Sequence, residues 1–429
     1  MTDPLPTSLH SLQIADAWRW DYEQISQWQL RQFNSQLASI LPTNEFYRNK
    51  LGGSSIQLTS LDEIADLPTT TKAELVTSAE ASAKGISEHH THPASDYSRM
   101  HRTSGTTGSP LMVLDTAADW EWWSLSWQHV LEAADVSPED RVFLAFSFGP
   151  FIGFWSAHQA CVDRGALVIP GGGLSTIARL EFLRTSAATV VCCTPSYALH
   201  MAEVAAAEGI ALNSMPVRRI IVAGESGGSI PAVREKIRHA WGAEVIDHSG
   251  ATEIGPWGFG WPDKIGLHVA ETSFIAELLP IEDAGKEVDL RELAITSLGR
   301  IGAPVIRYRT GDAVRAMRPT DGRCRFLWLP DGVVGRVDNM VTVRGVNVFP
   351  SSIDAIVREV DGVAEYQIRV TKHNHLDELQ ISAEANTETC KQVEKLLTVR
   401  LGLRIPVSLA AAGSLPRSEG KSRRWVDQR

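Results

Sequence analysis

The 429-residue chain exceeds what one hydrophobic core usually supports, so two or three lobes are expected. Hydrophobic residues at 43% and charged residues at 21% are an ordinary globular balance, and a net charge of −10 argues against a nucleic-acid or anionic-membrane surface. Five cysteines without paired spacing, a start without a basic-apolar leader and no run of ~18 apolar residues predict a reduced, cytoplasmic chain with no signal peptide or transmembrane helix.

Residues 18–51 show helical spacing, and 58–75 form a turn-rich link into a short helix. Ser87-Glu88-His89-His90-Thr91-His92-Pro93 carries three histidines in four positions, yet no carboxylate or cysteine follows at ligand spacing. A polar loop is the expectation there. Arg102 to Pro110 then brackets Thr103, Ser104, Gly105, Thr106, Thr107 and Gly108. Glycines let successive N–H groups turn inward as an anion nest, and the hydroxyls add donors for phosphate oxygens. The plainer alternative is a surface turn, and the Gly-Lys-Ser/Thr ending of a Walker A loop is absent. A strand at 111–114 and a helix at 115–130 follow. The helix carries Trp120, Trp122, Trp123 and Trp127 around most of its circumference, which predicts core packing.

From Arg141 short apolar runs at 142–146, 166–170, 189–193 and 219–223 alternate with helices at 152–162, 177–185 and 196–207. That is the pattern of parallel βαβ units covered on both faces, and ligands sit beyond the strand carboxyl ends. Those ends hold Ser147-Phe148-Gly149, Thr194-Pro195, Gly224-Glu225-Ser226 and, after a strand at 244–246, Asp247-His248-Ser249-Gly250-Ala251-Thr252-Glu253. A hydroxyl and a carboxylate there suit a nucleotide's Mg²⁺, with a polar turn as the alternative. Asp312 reads as the end of a strand over 305–312, either a turn former or an acceptor for a ribose diol. Phe148, Phe151 and Trp155 read as walls of a pocket for a flat acid or as buried core. Strands at 364–371, 378–385 and 407–411 mark a C-terminal lobe, and the basic tail around Lys421 reads as a solvated end or a site.

In order and spacing, from Pro68-Thr69-Thr70-Thr71-Lys72 to the last residues, these segments resemble the adenylate-forming superfamily of acyl- and aryl-CoA ligases, adenylation domains and luciferases. Cys192-Cys193-Thr194-Pro195-Ser196-Tyr197-Ala198-Leu199 and residues 344–350 point within it to the phenylacetate–CoA ligase group. The resemblance implies a large α/β N-terminal lobe of parallel-rich sheets covered by helices (1–335) and a small α+β C-terminal lobe (336–429) rotating about a hinge at Asp338. It implies that ATP, Mg²⁺ and coenzyme A are used to turn a carboxylic acid, aromatic or arylacetic, into an acyl-adenylate and then a CoA thioester.

Thr103 to Gly108 would hold the β- and γ-phosphates, Glu253 Mg²⁺ and Thr252 the α-phosphate. Asp312, assisted by Arg336, would accept the ribose hydroxyls. Asp247, His248, Ser249 and Gly250 would lie along the nucleotide, with Gly224, Glu225 and Ser226 walling the adenine. Lys421 would bridge carboxylate and α-phosphate, and Arg344, Gly345 and Val346 would pass the pantetheine of CoA. Three positions depart from the family pattern. Ser109 replaces the loop lysine, Ser249 replaces an adenine-stacking aromatic, and Gly260-Trp261-Pro262-Asp263 offers no cysteine where some relatives bind zinc. Transfer to a carrier-protein thiol or an amine, and a degenerate nucleotide-binding fold, are the alternatives. A dimer is the commonest soluble assembly.

Overall fold

The computed structural model describes residues 10, 12–81, 86–103, 110–146, 149–281, 289–343, 346–373, 376–416 and 424–429. Helices α1 (Ile14–Ala17), α2 (Tyr22–Ile40), α3 (Glu45–Leu51) and α4 (Lys72–Ala81) open the chain. The helical spacing of 18–51 is thus broken. Pro42 cannot continue α2, and Asn44 caps α3 by accepting from Tyr47 N. The histidine stretch is a loop, as expected, but a buried one. His89 and His90 stack at 4.2 Å, the Ser87 hydroxyl contacts both rings, and burial pushes His90 down to about 4.

Strands β1 (Tyr97–Arg102) and β2 (Met112–Thr116) form an antiparallel ribbon, and α5 (Ala117–Ala133) leaves it through a capping box at Thr116 and Asp119. The four tryptophans of α5 are all buried. The chain then alternates β3 (Arg141–Leu144), α6 (Ile152–Asp163), β4 (Leu167–Pro170), α7 (Thr176–Ser186), β5 (Val190–Cys193), α8 (Pro195–Ala207), β6 (Arg219–Ala223), α9 (Pro231–Trp241) and β7 (Glu244–Ala251). These five strands are parallel, in the order β4-β3-β5-β6-β7. Alternate side chains face opposite ways. Val142, Leu144, Val190, Cys192 and Ile246 share a core with the α5 tryptophans, whereas Phe143, Val191, Cys193, Val222 and Val245 pack with α7 to α9.

Two antiparallel strands, β8 (Gly255–Trp261) and β9 (Lys264–Val269), continue this sheet. Strands β10 (Phe274–Pro280), β11 (Arg291–Ser297) and β12 (Tyr308–Val314) begin a second, antiparallel sheet. Strand β13 (Trp328–Leu329) returns to the edge of β9, and β14 (Gly335–Arg336) completes the second sheet beside β12. Every residue of β8 is buried, and Gly255 (φ +132°) leaves no room for a Cβ between Trp122 and Phe274.

The remaining chain forms β15 (Val341–Val343), β16 (Val346–Val348), α10 (Pro350–Glu359), β17 (Glu365–His373), β18 (Leu376–Glu384), α11 (Thr387–Leu401), β19 (Val407–Leu409) and β20 (Trp425–Asp427). Strands β19-β18-β17-β20 make one sheet, and Ile353, Val357, Tyr366, Ile368, Ile381, Val393 and Leu397 give this segment a core of its own.

Candidate active site

Glu253, just past the carboxyl end of β7, and Tyr308 of β12 meet at a seam between the two sheets. Ser104 to Ser109 of the glycine loop lie outside the described residues, but both ends of the loop are fixed. Thr103 N donates to Leu111 O at 2.9 Å, and the Thr103 hydroxyl accepts from Leu111 N at 3.0 Å. Phe148, Arg344, Gly345 and Lys421 also lie outside the described residues.

The segment 247–251, expected as a turn, is the continuation of β7. His248 pairs with Phe259, Ser249 with Gly258 and Ala251 with Gly255, so main-chain bonds to β8 override the turn preference of its residue types. The pleat separates neighbours that the sequence grouped together. Asp247 faces α9, accepts from the Ser229 hydroxyl and touches the backbone at Gly228, where a Cβ would overlap its carboxylate. Burial pushes its carboxyl up to about 6, against the pull of Arg234. His248 faces α5, with its ring 4.2 Å from Trp127 and Nδ1 at 2.7 Å from Gly258 O; burial pushes it down to about 4. Ser249 is half-buried and Gly250 exposed. Gly224, at φ +91°, ends β6, and Glu225 accepts from Ser196 N at 2.8 Å, tying two loops together.

Glu253, after β7, is buried, with Lys72 Nζ 3.0 Å from its carboxylate, and its charge acts on the Tyr308 hydroxyl. The strap before α4 supplies that lysine. Thr70 N donates to Arg307 O at 2.9 Å and Arg309 N to Thr70 O at 2.8 Å, so the strap adds itself beside β12 and aims Lys72 across the seam.

Asp312 also lies within its strand rather than at the end of one. Gly311 (φ +73°) turns the backbone there, and a Cβ would strike the Arg336 guanidinium. Arg336, opposite Asp312 in register, holds the Asp312 carboxylate at 3.2 Å and Asp338 at 3.0 Å. Burial raises the Asp312 carboxyl to about 6, with Arg336 opposing. The charges of Glu253, Asp312 and Arg336 thus all act on the Tyr308 hydroxyl, one carboxylate following β7 and the other within β12.

Phe151 and Trp155 sit on the first turn of α6, 39% and 43% exposed, so they are not core. Val346 starts β16 opposite Val343. Asp354, Arg358 and Arg424 of the C-terminal segment border a small crevice with Glu225, Ser226 and Ser196. Among the described residues no group of three or more His, Cys, Asp and Glu stands close enough to hold a metal ion, and no helix is long and apolar enough to cross a membrane.

Sequence reasoning gave Lys72, Tyr308 and Arg300 no role. Their partners are distant in sequence, and only the strap motif 68–72 hinted at one of them. Arg300 is completely buried and donates to the carbonyls of Thr252 and Glu253, each at 3.0 Å.

The AMP-binding enzyme family model matches residues 48–280, and that of the AMP-binding enzyme C-terminal domain matches 345–429. The chain is 30% identical to the phenylacetate-coenzyme A ligase of Escherichia coli (strain K12) over 89% of its own length and 90% of the relative's. It is 28% identical to the enzyme of the same name from Pseudomonas putida over 95% of each. Among solved structures, 2-hydroxyisobutyryl-CoA ligase with 2-HIB-AMP in the postadenylation state is 25% identical and matches at a TM-score of 0.88, covering 100% of this chain and 96% of that one. The same ligase in the thioesterification state, with 2-HIB-AMP and CoA, is 26% identical over the same shares and matches at 0.71, so the present arrangement is nearer the former. By these matches the chain belongs to the adenylate-forming AMP-binding enzymes and, within them, to the phenylacetate–CoA ligase group.

Proposed function

We propose that the protein joins a carboxylic acid, aromatic or arylacetic, to coenzyme A in two steps. The acid's carboxylate oxygen attacks the α-phosphorus of ATP, forming the acyl-adenylate and releasing pyrophosphate. The CoA thiol then attacks the acyl carbon, forming the thioester and releasing AMP. The observation that carries this reading is the grouping of the Glu253, Asp312 and Arg336 charges about the Tyr308 hydroxyl, with Arg336 paired to Asp312.

In this reading Asp312 accepts the ribose hydroxyls, Arg336 steadies it, and Thr252 contacts the α-phosphate. Gly224, Glu225, Ser226, Asp247, Ser249 and Gly250 border the base and sugar. His248 follows Asp247 along the nucleotide, with its ring held against Trp127 of α5. Glu253 and the Thr252 hydroxyl are hard oxygen donors of the kind Mg²⁺ takes alongside phosphates, and the ion would offset polyphosphate charge. The lobe boundary falls at 335/336, with Asp338 as the hinge. Five buried free cysteines fit a reducing, cytoplasmic setting.

Lys72, paired with Glu253, brings a cation to the site, and in this reading it serves the phosphates where the glycine loop carries Ser109. Lys72→Met is expected to slow acid-dependent pyrophosphate release roughly tenfold or more, as loss of a placed phosphate donor does. Its ion pair is partly exposed, so thermal stability should change by less than about 1 kcal/mol. Rate and melting measured on one preparation separate the two effects.

The function itself is tested by pyrophosphate release with Mg-ATP across a panel of carboxylic acids, with and without CoA. Acid-dependent release with a CoA thioester seen by mass spectrometry supports it and names the acid. Release without thioester points to another acceptor. ATP binding without release across the panel overturns the ligase reading.

A further inference from the structure

Beneath the seam lies a buried charged cluster that the reaction scheme does not use. Arg300 and Asp115 are both fully buried, and their ion pair runs from Nε at 2.9 Å and Nη2 at 2.7 Å to the same carboxylate oxygen. The guanidinium rests 5.1 Å from the centre of the Trp123 ring. Asp115 belongs to β2, the strand that the chain enters on leaving the glycine loop. The other end of the guanidinium, Nη1, donates to both Thr252 O and Glu253 O at 3.0 Å. One side chain thus links the strand that follows the segment assigned to the phosphates with the turn assigned to the α-phosphate and Mg²⁺.

Arg300 is not needed to hold its own loop. Trp122 donates to Leu298 O at 2.5 Å, Gln36 accepts from Gly299 N at 2.7 Å, and the Thr91 hydroxyl donates to Ile301 O at 2.5 Å. Tyr97 donates to Gly302 O at 2.7 Å, and Asp119 accepts from Gly302 N at 3.0 Å. The backbone on both sides of Arg300 is therefore anchored by other residues, and its side chain is directed at the 252–253 turn. The pairing is also imperfect as a stabilising device. Asp115 Oδ2 makes no hydrogen bond, and His101 Nδ1, which burial and Arg300 push down to about 4, stands 4.0 Å from it. A buried ion pair of this kind is commonly no more stabilising than apolar residues of similar volume.

We propose that Arg300 is a positioning residue for adenylation: it fixes the spacing between the strand below the glycine loop and the turn bearing Thr252 and Glu253. This rests on the functional reading above, which gives the glycine loop and that turn the phosphates and the metal. A misplacement of about 1 Å in such a constellation typically costs on the order of 10²-fold in rate. Once the adenylate exists the β- and γ-phosphates have left as pyrophosphate and only the α-phosphate remains, so thioester formation depends far less on this spacing.

The test uses the full chain, the acid found in the panel and the double variant Asp115→Leu/Arg300→Met, beside the charge-conserving Arg300→Lys. Acyl-adenylate formation, thioester formation from synthetic acyl-adenylate plus CoA, the Mg²⁺ concentration for half-maximal rate and the melting temperature are measured for each. The expected result is a double variant that melts near the parent, forms adenylate ~10²-fold more slowly and needs more Mg²⁺, yet makes thioester within about threefold of the parent. Arg300→Lys should recover part of the adenylation rate, since it keeps one charged donor. Adenylation retained within threefold in the double variant overturns the proposal, and so does an equal fall in both half-reactions. Where the double variant does not fold, Arg300→Lys carries the test, and the same split between half-reactions is required of it. A parent without acid-dependent pyrophosphate release would overturn the functional reading itself, a result separate from these.

Discussion

Lys421→Ala is expected to slow acyl-adenylate formation by roughly 10²–10³-fold while leaving thioester formation from supplied acyl-adenylate within about twofold, the loss typical of one preorganised donor at developing charge. Two chain anchors frame this residue. Before it, Glu384 accepts from Gly413 N at 2.9 Å and from Leu415 N at 2.7 Å. After it, Ile368 N donates to Arg424 O at 2.6 Å, the Arg424 guanidinium pairs with Glu365 at 2.5 Å, and β20 joins β17 in parallel. Single-turnover measurement of each half-reaction checks the split. An equal loss in both would assign Lys421 to the lobe's folding instead.

Asp312→Asn is expected to weaken nucleotide binding on the order of 10²–10³-fold, because the amide offers one acceptor oxygen where the carboxylate has two and leaves that remaining hydrogen bond to the ribose without charge assistance. The same carboxyl makes the parent's affinity depend on pH. Burial holds it up at about 6, so nucleotide affinity should fall as pH drops through that value and the acceptor is protonated. Folding has the opposite sign. A carboxyl raised above its unfolded value adds stability at low pH that is lost as pH rises through about 6. The neutral amide removes that loss, and Asp312→Asn should melt at or above the parent at pH 8. Calorimetric titration with AMP between pH 5.5 and 8, with melting curves on the same samples, reads both effects.

The alternating strands and helices from β3 to β7 were legible because each buried strand is a short apolar run and each helix a polar-faced one. The extension of the sheet was not. Strand β8 reads Gly-Pro-Trp-Gly-Phe-Gly-Trp, a composition that signals turns, and it is a strand only because large rings crowd the backbone where glycines make room. The same tertiary override turned 247–251 into strand and put Asp247 and His248 on opposite faces. In the candidate site, Glu253, Asp312 and Arg336 were recognisable from motifs, since each sits in a short stretch of fixed spacing. Lys72, Tyr308 and Arg300 were not, since their partners are brought together by sheet pairing that no local pattern encodes. The histidine loop misled in a different way. Polar residues signalled solvent, whereas Ser87 and the Leu114 amide satisfy the rings inside.

All five cysteines are buried and none is in a disulfide, and burial pushes the thiols of Cys161 and Cys324 up to about 12. Thiolate is the reactive form, so the native chain should be almost silent to maleimides. A cysteine placed at Val399, an exposed position on α11, would then label ahead of every native thiol. A dye pair made from it and a second introduced cysteine on the large lobe would show in real time whether the small lobe rotates, with no native residue removed.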